Sequence, residues 1–257
     1  MKIIAVASGK GGVGKTTLCA NLGMALRNRG HEVLSVDMDP QNGLGLHFSL
    51  PINHINGMSR ATLSSDDWNS AIWQSELGDL ILPYGLINDD DRIIFEDKLS
   101  NEPGLLLKQL KLLNLPDDIF VILDTPPGAS CYQQQALAVC HVVVLPLLAD
   151  AASFSTAIKY ISKIQKECSQ RTDFTGHMVV VNQVDRSRQL NSDMTDLIRE
   201  STGSKYFSII HQDQSVAEAA AYGQAVFAFD SECSGAHDIE YATEILKELI
   251  GNARVVQ

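Results

Sequence analysis

The chain has 257 residues, enough for one large α/β domain, and its 45% hydrophobic and 20% charged residues are ordinary for a folded globular protein. Its net charge of −11 argues against nonspecific DNA binding, which needs a basic surface to displace counterions from the phosphates. The longest apolar stretch, residues 136–149, is too short to cross a bilayer, so we expect no direct membrane insertion. No linker-like segment divides residues 1–257, which we expect to form a single domain.

The first predicted elements surround a glycine-rich loop. An apolar run at 2–7 predicts a buried strand, and apolar spacing at 16–29 predicts a helix. The sequence between them, SGKGGVGKTT, has the spacing of a phosphate-binding loop, in which backbone N–H groups and a helix N-terminus surround a polyphosphate. The residues expected to contact the phosphates are Gly9, Gly11, Gly12, Val13, Gly14, Lys15, Thr16 and Thr17.

Strands and helices alternate along the rest of the chain. Residues 44–118 carry weaker patterns, which predict a helix at 68–73, a strand at 77–82 and a helix at 89–99. The alternation predicts a mostly parallel twisted sheet with helices on both faces. The other predicted strands are 32–36, 119–123, 142–145, 178–181 and 206–210, and the other predicted helices are 133–139, 153–168, 193–200, 216–222 and 238–250.

Carboxylates follow two of these strands, where the carboxyl edge of a parallel sheet places ligands. Asp37 and Asp39 follow the strand at 32–36, and Asp124 follows the strand at 119–123. Either motif alone could be a solvated loop, but their order after a phosphate-binding loop favours a site. Thr16 and Asp124 would form an oxygen-only set that suits Mg²⁺, with Asp37 in its outer shell.

A second lysine inside the loop, Lys10, makes the loop resemble the deviant Walker A motif of the MinD/ParA ATPases. In that family this lysine reaches the partner's nucleotide across a dimer interface. The resemblance implies a P-loop ATPase that binds ATP with Mg²⁺ and forms a homodimer through ATP. It also implies catalysis by Lys10, Lys15 and Asp39, with Asp39 orienting the attacking water, and slow hydrolysis that depends on dimerisation.

The nucleotide base is expected near Asn182, which matches the base-contacting asparagine of the same family. The run NQVD that begins at this residue also resembles the guanine-binding NKxD motif of GTPases, which would predict GTP. Gln183 replaces the lysine of that motif, and this difference, together with the deviant loop, favours ATP. His211 is expected on the opposite wall of the base pocket, although a simple surface histidine is an equal alternative.

The middle of the chain indicates which member of the family this is. Short motifs resemble the BcsQ (YhjQ) proteins of bacterial cellulose secretion: Asn53-His54, Arg60-Ala61, Asp67-Trp68 and LILPYG at 80–85. That resemblance implies a cytoplasmic ATPase, small cytosolic partners such as BcsR, and recruitment by proteins to the inner-membrane cellulose synthase complex. The alternatives are a partition or polar-positioning ATPase that acts on DNA or another cargo, and a nucleotide-locked scaffold without turnover. The acidic C-terminal third favours neither direct nucleic-acid binding nor a membrane-bound terminal helix.

Overall fold

The computed structural model describes residues 1–203 and 205–251, and these residues contain eight strands in one sheet. Residues 252–257, the end of the acidic C-terminal third, lie outside them. In chain order the strands are β1 (Lys2–Val6), β2 (Val33–Asp37), β3 (Trp73–Gln74), β4 (Leu80–Leu82), β5 (Phe120–Asp124), β6 (Val142–Leu148), β7 (Gly176–Val184) and β8 (Phe207–His211).

The sheet has the spatial order β3-β4-β2-β5-β1-β6-β7-β8. Every neighbouring pair is parallel except β3 and β4 at one edge, which are antiparallel. The central strands are almost continuously apolar and buried, as expected where helices cover both faces. This arrangement confirms the predicted fold class.

Helices connect the strands and cover the sheet on both sides. They are α1 (Lys15–Asn28), α2 (Met58–Ser64), α3 (Asp89–Asn101), α4 (Leu105–Leu112), α5 (Cys131–Val139), α6 (Ala151–Cys168), α7 (Gln189–Thr202), α8 (Gln214–Ala221), α9 (Val226–Phe229) and α10 (Ser234–Gly251). No helix within the described ranges is both long and apolar enough to cross a membrane.

Alternation along the strands divides the core into two layers. In β1, Ile3 and Ala5 join the cluster under α3 to α7, whereas Ile4 and Val6 join the cluster under α1 and α10. The same two-residue period along each buried strand fixes the register of the sheet, because a slip by one residue would exchange the two sides.

The sequence pattern was least accurate in the middle segment. The helix predicted at 68–73 is a 3-10 turn over Trp68–Ala71, and the next residues form the edge strand β3. The strand predicted at 77–82 forms only over β4, because a tight turn with Gly78 at φ +87° occupies the preceding positions. Helices α2 and α4 were not predicted at all.

The topology brings the predicted acidic residues to one place. Asp37 and Asp124 are register partners at the carboxyl ends of the adjacent strands β2 and β5, and Asp124 also pairs in register with Val6, the last residue of β1. The glycine-rich loop begins directly after β1, so it lies at the same edge as the two carboxylates.

Candidate functional site

The glycine-rich loop ends at a helix N-terminus that is ready to bind an anion. Gly14 is the N-cap of α1 and has φ +85°. A Cβ at this position would lie 2.3 Å from Asn182 Nδ2, so both backbone conformation and space require glycine. Among the described residues, no side chain caps the helix, so the N–H groups of its first turn, which contains Lys15, Thr16 and Thr17, are available to phosphate oxygens.

Hydrogen bonds from neighbouring elements hold the loop in shape. Gln133 Nε2, on α5, donates to the Ser8 carbonyl at 3.0 Å. The Ser8 hydroxyl in turn donates to the Lys10 carbonyl at 2.6 Å. Because these bonds fix the backbone before any ligand arrives, little ordering would be needed on binding.

Asn182 lies against the loop and is not at the end of its strand, although the sequence predicted that the strand ends at residue 181. Its Nδ2 donates to the Val13 carbonyl at 2.9 Å. Strand β7 continues to Val184 through an irregularity where Gln183 adopts φ +56°. Asn182 therefore lies between the phosphate-binding loop and a cavity that is also lined by Gln183 and His211.

Lys10 has a partner within its own chain, which sequence reasoning did not find. Its Nζ lies 2.9 Å from Asp150 Oδ2, and the two side chains are 35% and 39% exposed. Asp150 is also the N-cap of α6, since its Oδ1 accepts the Ser153 N–H at 2.7 Å. The signal available in the sequence was the position of Asp150 just after β6, at the carboxyl edge of the sheet.

Lys15 is directed into the protein and is 7% exposed. Burial lowers the pKa of its ammonium, and the neighbouring carboxylates of Asp124 and Asp39 oppose that shift. A buried cation beside the helix N-terminus adds to the positive potential at the loop, which favours a polyphosphate.

Asp124 is the side chain whose surroundings best fit a cation. It is 1% exposed, and neither carboxylate oxygen has a hydrogen-bond partner in the described part of the chain. Burial raises the pKa of Asp124 to about 7, while the Thr16 hydroxyl and the Lys15 ammonium oppose the shift. A buried carboxylate beside a hydroxyl is a donor set that fits Mg²⁺.

Asp37 and Asp39 organise the segment beside that carboxylate. Asp37 is buried and accepts the Asp39 N–H at 2.9 Å and the Leu44 N–H at 2.8 Å. Burial raises its pKa, and the charge of Asp124 adds to the shift. Asp39 is partly exposed and accepts the Gln41 N–H at 2.9 Å. The described residues hold no cluster of three or more His, Cys, Asp or Glu side chains suited to a metal. A Mg²⁺ ion held by Thr16 and Asp124 would take its other ligands from water and phosphate oxygens, as Mg²⁺ commonly does.

A cavity of about 590 Å³ adjoins the loop, within the size range of ligand pockets. Gly14 and Thr17 form part of its wall, together with Asn182, Gln183 and His211. The structure thus brings His211 and Asn182 to one cavity.

His211 is fixed by a residue that the sequence did not single out. Its Nδ1 lies 2.7 Å from Asp238 Oδ2, and the same oxygen accepts the His211 backbone N–H at 2.8 Å. The Nε2 atom is buried and has no partner among the described residues. Asp238 lies inside α10, where one acidic residue in a helix gives no sequence signal.

Comparisons with known proteins agree with this arrangement. The family model described as "Cellulose biosynthesis protein BcsQ" matches residues 1–244. The BcsQ protein of Salmonella typhimurium is 26% identical over an alignment of 248 positions, which covers 93% of this chain and 91% of the relative. A chromosome partitioning protein ParA from Caulobacter vibrioides is 24% identical, and the match covers 96% of this chain and 94% of that protein.

Solved structures show the same fold. The cell division ATPase MinD of Pyrococcus furiosus is 22% identical and superposes with a TM-score of 0.77, covering 96% of this chain and 99% of its own. MinD of Pyrococcus horikoshii, solved with Mg-ADP, is 22% identical with a TM-score of 0.78 and covers 99% of both chains. The chain therefore belongs to the BcsQ family of cellulose biosynthesis proteins and has the fold of the MinD/ParA-type P-loop ATPases.

Proposed function

We propose that residues 1–257 form one ATPase domain that binds and hydrolyses ATP with Mg²⁺, dimerises through ATP, and acts as a switch in the cellulose secretion complex. The observation that carries the nucleotide assignment is Asp124, a buried carboxylate whose desolvation is only partly offset by the Thr16 hydroxyl and the Lys15 ammonium beside it. An unpaired buried charge is costly, and a phosphate-bound divalent cation would remove that cost.

Each residue of the site has a role in this proposal. The loop N–H groups and Lys15 bind the phosphates, and Thr16 and Asp124 hold the cation, with Asp37 in its outer shell. Bound Mg²⁺ would supply positive charge to the phosphate oxygens. Asp39 orients the attacking water, and Lys10 of one protomer reaches the nucleotide of the other. Phosphoryl transfer needs little more than such positioning and charge stabilisation.

ATP is the proposed nucleotide, with its base in the cavity between Asn182 and His211. Gln183 stands where the guanine-binding motif of GTPases has lysine, so that motif is incomplete in this chain. Calorimetry with ATP and GTP tests the choice. Tighter binding of ATP is expected, and preferential binding of GTP would reverse the interpretation of Asn182.

Partners are proposed to determine where the protein acts. We place it in the cytoplasm and expect recruitment to the inner-membrane cellulose synthase complex through proteins, including a small cytosolic partner such as BcsR. Membership of the BcsQ family supports this role. The net charge of −11 also disfavours direct attraction to anionic lipid or DNA.

The second candidate is a partition or polar-positioning ATPase, which the match to ParA favours. Deletion of the gene separates the two functions. Reduced cellulose secretion with normal chromosome and plasmid inheritance is expected. A partition defect with intact cellulose output, or tight ATP-dependent binding of the isolated protein to duplex DNA at physiological salt, would support the ParA-like function instead.

A further inference from the structure

Two buried glutamine side chains on α5 hold other parts of the chain in place. The helix carries three consecutive glutamines at 133–135, of which the middle one is exposed and the outer two are buried. Gln133 is 0% exposed and Gln135 is 2% exposed. Their side chains contact different parts of the protein, because residues two positions apart on a helix do not face the same way.

Gln133 connects two backbone segments at the proposed nucleotide site. Its Nε2 donates to the Ser8 carbonyl at 3.0 Å, at the start of the glycine-rich loop, and to the Pro126 carbonyl at 3.3 Å, in segment 125–128 directly after β5. Both acceptors are carbonyl oxygens, so only the NH₂ end of the amide can face them. The Oε1 end faces Lys163 on α6, whose Nζ donates to it at 3.4 Å.

Two further contacts bring the same segments together. The Gly128 N–H donates to the Ser8 carbonyl at 3.1 Å. The position that a Cβ of Gly11 would occupy lies 3.7 Å from Pro127 Cγ, so the proline ring packs beside the glycine-rich loop. Segment 125–128 therefore lies against the loop, and the Gln133 amide bonds to both.

The two segments carry the two halves of the proposed chemistry. The glycine-rich loop supplies the phosphate contacts, and Asp124, the residue before segment 125–128, would hold the cation. A change in their separation would move the cation relative to the phosphates, and a displacement of about 1 Å can reduce a rate by about a hundredfold. Phosphate binding is spread over several N–H groups, so affinity is less sensitive than rate to such a displacement.

We propose that Gln133 is a positioning residue for ATP hydrolysis, which ties the glycine-rich loop to segment 125–128 and so fixes the cation ligand relative to the phosphates. This role rests on the proposed function, because it concerns the rate of the proposed hydrolysis. The Gln133 side chain is closed to solvent and bonds to backbone carbonyls, so it acts through the two segments and not by touching the nucleotide.

Gln135 offers a matched control two positions away. Its Nε2 also donates to two carbonyls, of Leu99 at 2.7 Å and of Glu102 at 2.6 Å, and its Oε1 accepts the Leu106 N–H at 3.1 Å. These bonds join α5 to the end of α3 and the start of α4, outside both segments of the proposed site. Removal of either amide breaks two buried hydrogen bonds to carbonyls, so both changes should lower stability.

Three variants of the full chain, Gln133→Met, Gln134→Met and Gln135→Met, separate the two roles. Methionine has a similar length to glutamine but cannot donate a hydrogen bond. Hydrogen exchange of single N–H groups, followed by two-dimensional NMR without ligands, measures the tie itself. Two N–H groups are direct reporters, because Gly128 donates to the Ser8 carbonyl and Leu106 donates to the Gln135 amide.

We expect Gln133→Met to speed exchange of the Gly128 N–H but not of the Leu106 N–H, and Gln135→Met to do the reverse. Gln134→Met, at the exposed position, should match wild type at both.

Hydrolysis at saturating Mg-ATP gives kcat, and calorimetry gives the dissociation constant of ATP. Gln133→Met should lower kcat at least about tenfold, while the dissociation constant stays within about threefold of wild type. Gln135→Met and Gln134→Met should keep kcat within about twofold. Gln135→Met should nevertheless unfold at a lower temperature than wild type, so a loss of kcat confined to Gln133→Met would not be an effect of stability.

Unchanged exchange of the Gly128 N–H in Gln133→Met, or an equal loss of kcat in Gln135→Met, would overturn the proposed role. A rise in the dissociation constant that matches the loss of kcat would also overturn it, because Gln133 would then support binding. Absence of ATP hydrolysis by the wild-type protein would contradict the proposed function instead. Exchange of the Gly128 N–H would still show in that case whether Gln133 ties the two segments.

Discussion

Lys10 Nζ lies 2.9 Å from Asp150 Oδ2 of the same chain, although the family resemblance directs this lysine toward a partner's nucleotide. If Lys10 has to leave Asp150 to reach the partner's nucleotide, dimerisation breaks the ion pair within each chain. Both side chains are more than one-third exposed, and such pairs contribute at most about 1 kcal/mol. The ion pair can therefore hold Lys10 in the monomer without preventing its release.

The variant Asp150→Asn tests that competition. Asparagine keeps the N-cap of α6 but removes the charge that holds Lys10. Because each dimer would break two such pairs, ATP-dependent dimerisation should strengthen by up to about thirtyfold. Sedimentation of the protein with Mg-ATP over a range of concentrations measures the change. Asp89→Asn, in an ion pair with Arg92 on the surface of α3, should have no effect. Weaker or unchanged dimerisation of Asp150→Asn would show that the contact does not oppose the dimer.

Lys15→Ala should bind ATP much more weakly than the wild-type protein. The side chain is buried beside the first turn of α1, where a contact between a cation and a phosphate is among the strong ones. Calorimetry should show a loss of several kcal/mol of ATP binding, at least about a hundredfold. Lys166→Ala, an exposed lysine near the end of α6, is the matched control and should bind as wild type. If Lys15→Ala bound ATP with wild-type affinity, the loop would not be the nucleotide-binding site.

Asp124→Asn should stabilise the apo-protein and at the same time remove its response to Mg²⁺. Because burial raises the folded pKa of Asp124 to about 7, far above its unfolded value, ionisation of this group destabilises the apo-protein increasingly as pH rises from about 4 to 7. The asparagine variant should therefore unfold at a higher temperature than wild type at pH 8 without ligands. It should also lose the further stabilisation that Mg-ATP gives over ATP with a chelator. Equal Mg²⁺ dependence in both proteins would exclude Asp124 as a ligand.

His47→Phe should make the protein more resistant to acid. The folded pKa of His47, about 4, lies below its unfolded value near 6.5, so its contribution is fully present above pH 6.5 and is lost as pH falls to 4. The loss is about 3 kcal/mol at pH 4. Urea unfolding at pH 7 and pH 4.5 should show a smaller decrease in the free energy of unfolding for the variant. An equal decrease would show that His47 does not sense pH.

The sequence alone was sufficient to locate candidate site residues where their chemistry depends on neighbours in the chain. A phosphate-binding loop requires glycines, a lysine and a hydroxyl at fixed spacing, so the residues of the loop could be found before the fold. Asp37 and Asp124 could be found because each ends an apolar strand.

Contacts between distant segments could not be predicted in the same way. The pairs Lys10–Asp150 and His211–Asp238 depend on how helices α6 and α10 pack on the sheet. The secondary-structure prediction for the middle segment, 44–118, was inaccurate for a different reason. Its elements are short, and a 3-10 turn at Trp68 is stabilised by a hydrogen bond from its indole to Thr62 and not by helical periodicity.

The central claim, an ATP-dependent dimer that needs Lys10, is tested most directly by light scattering of Asp39→Ala with Mg-ATP. If Asp39 only orients the attacking water, this variant should bind ATP without hydrolysing it and should remain at twice the monomer mass. The double variant with Lys10→Ala should bind ATP with an affinity within about tenfold of the single variant, yet remain a monomer. A monomeric Asp39→Ala with ATP bound, or a double variant that dimerises equally well, would contradict the account.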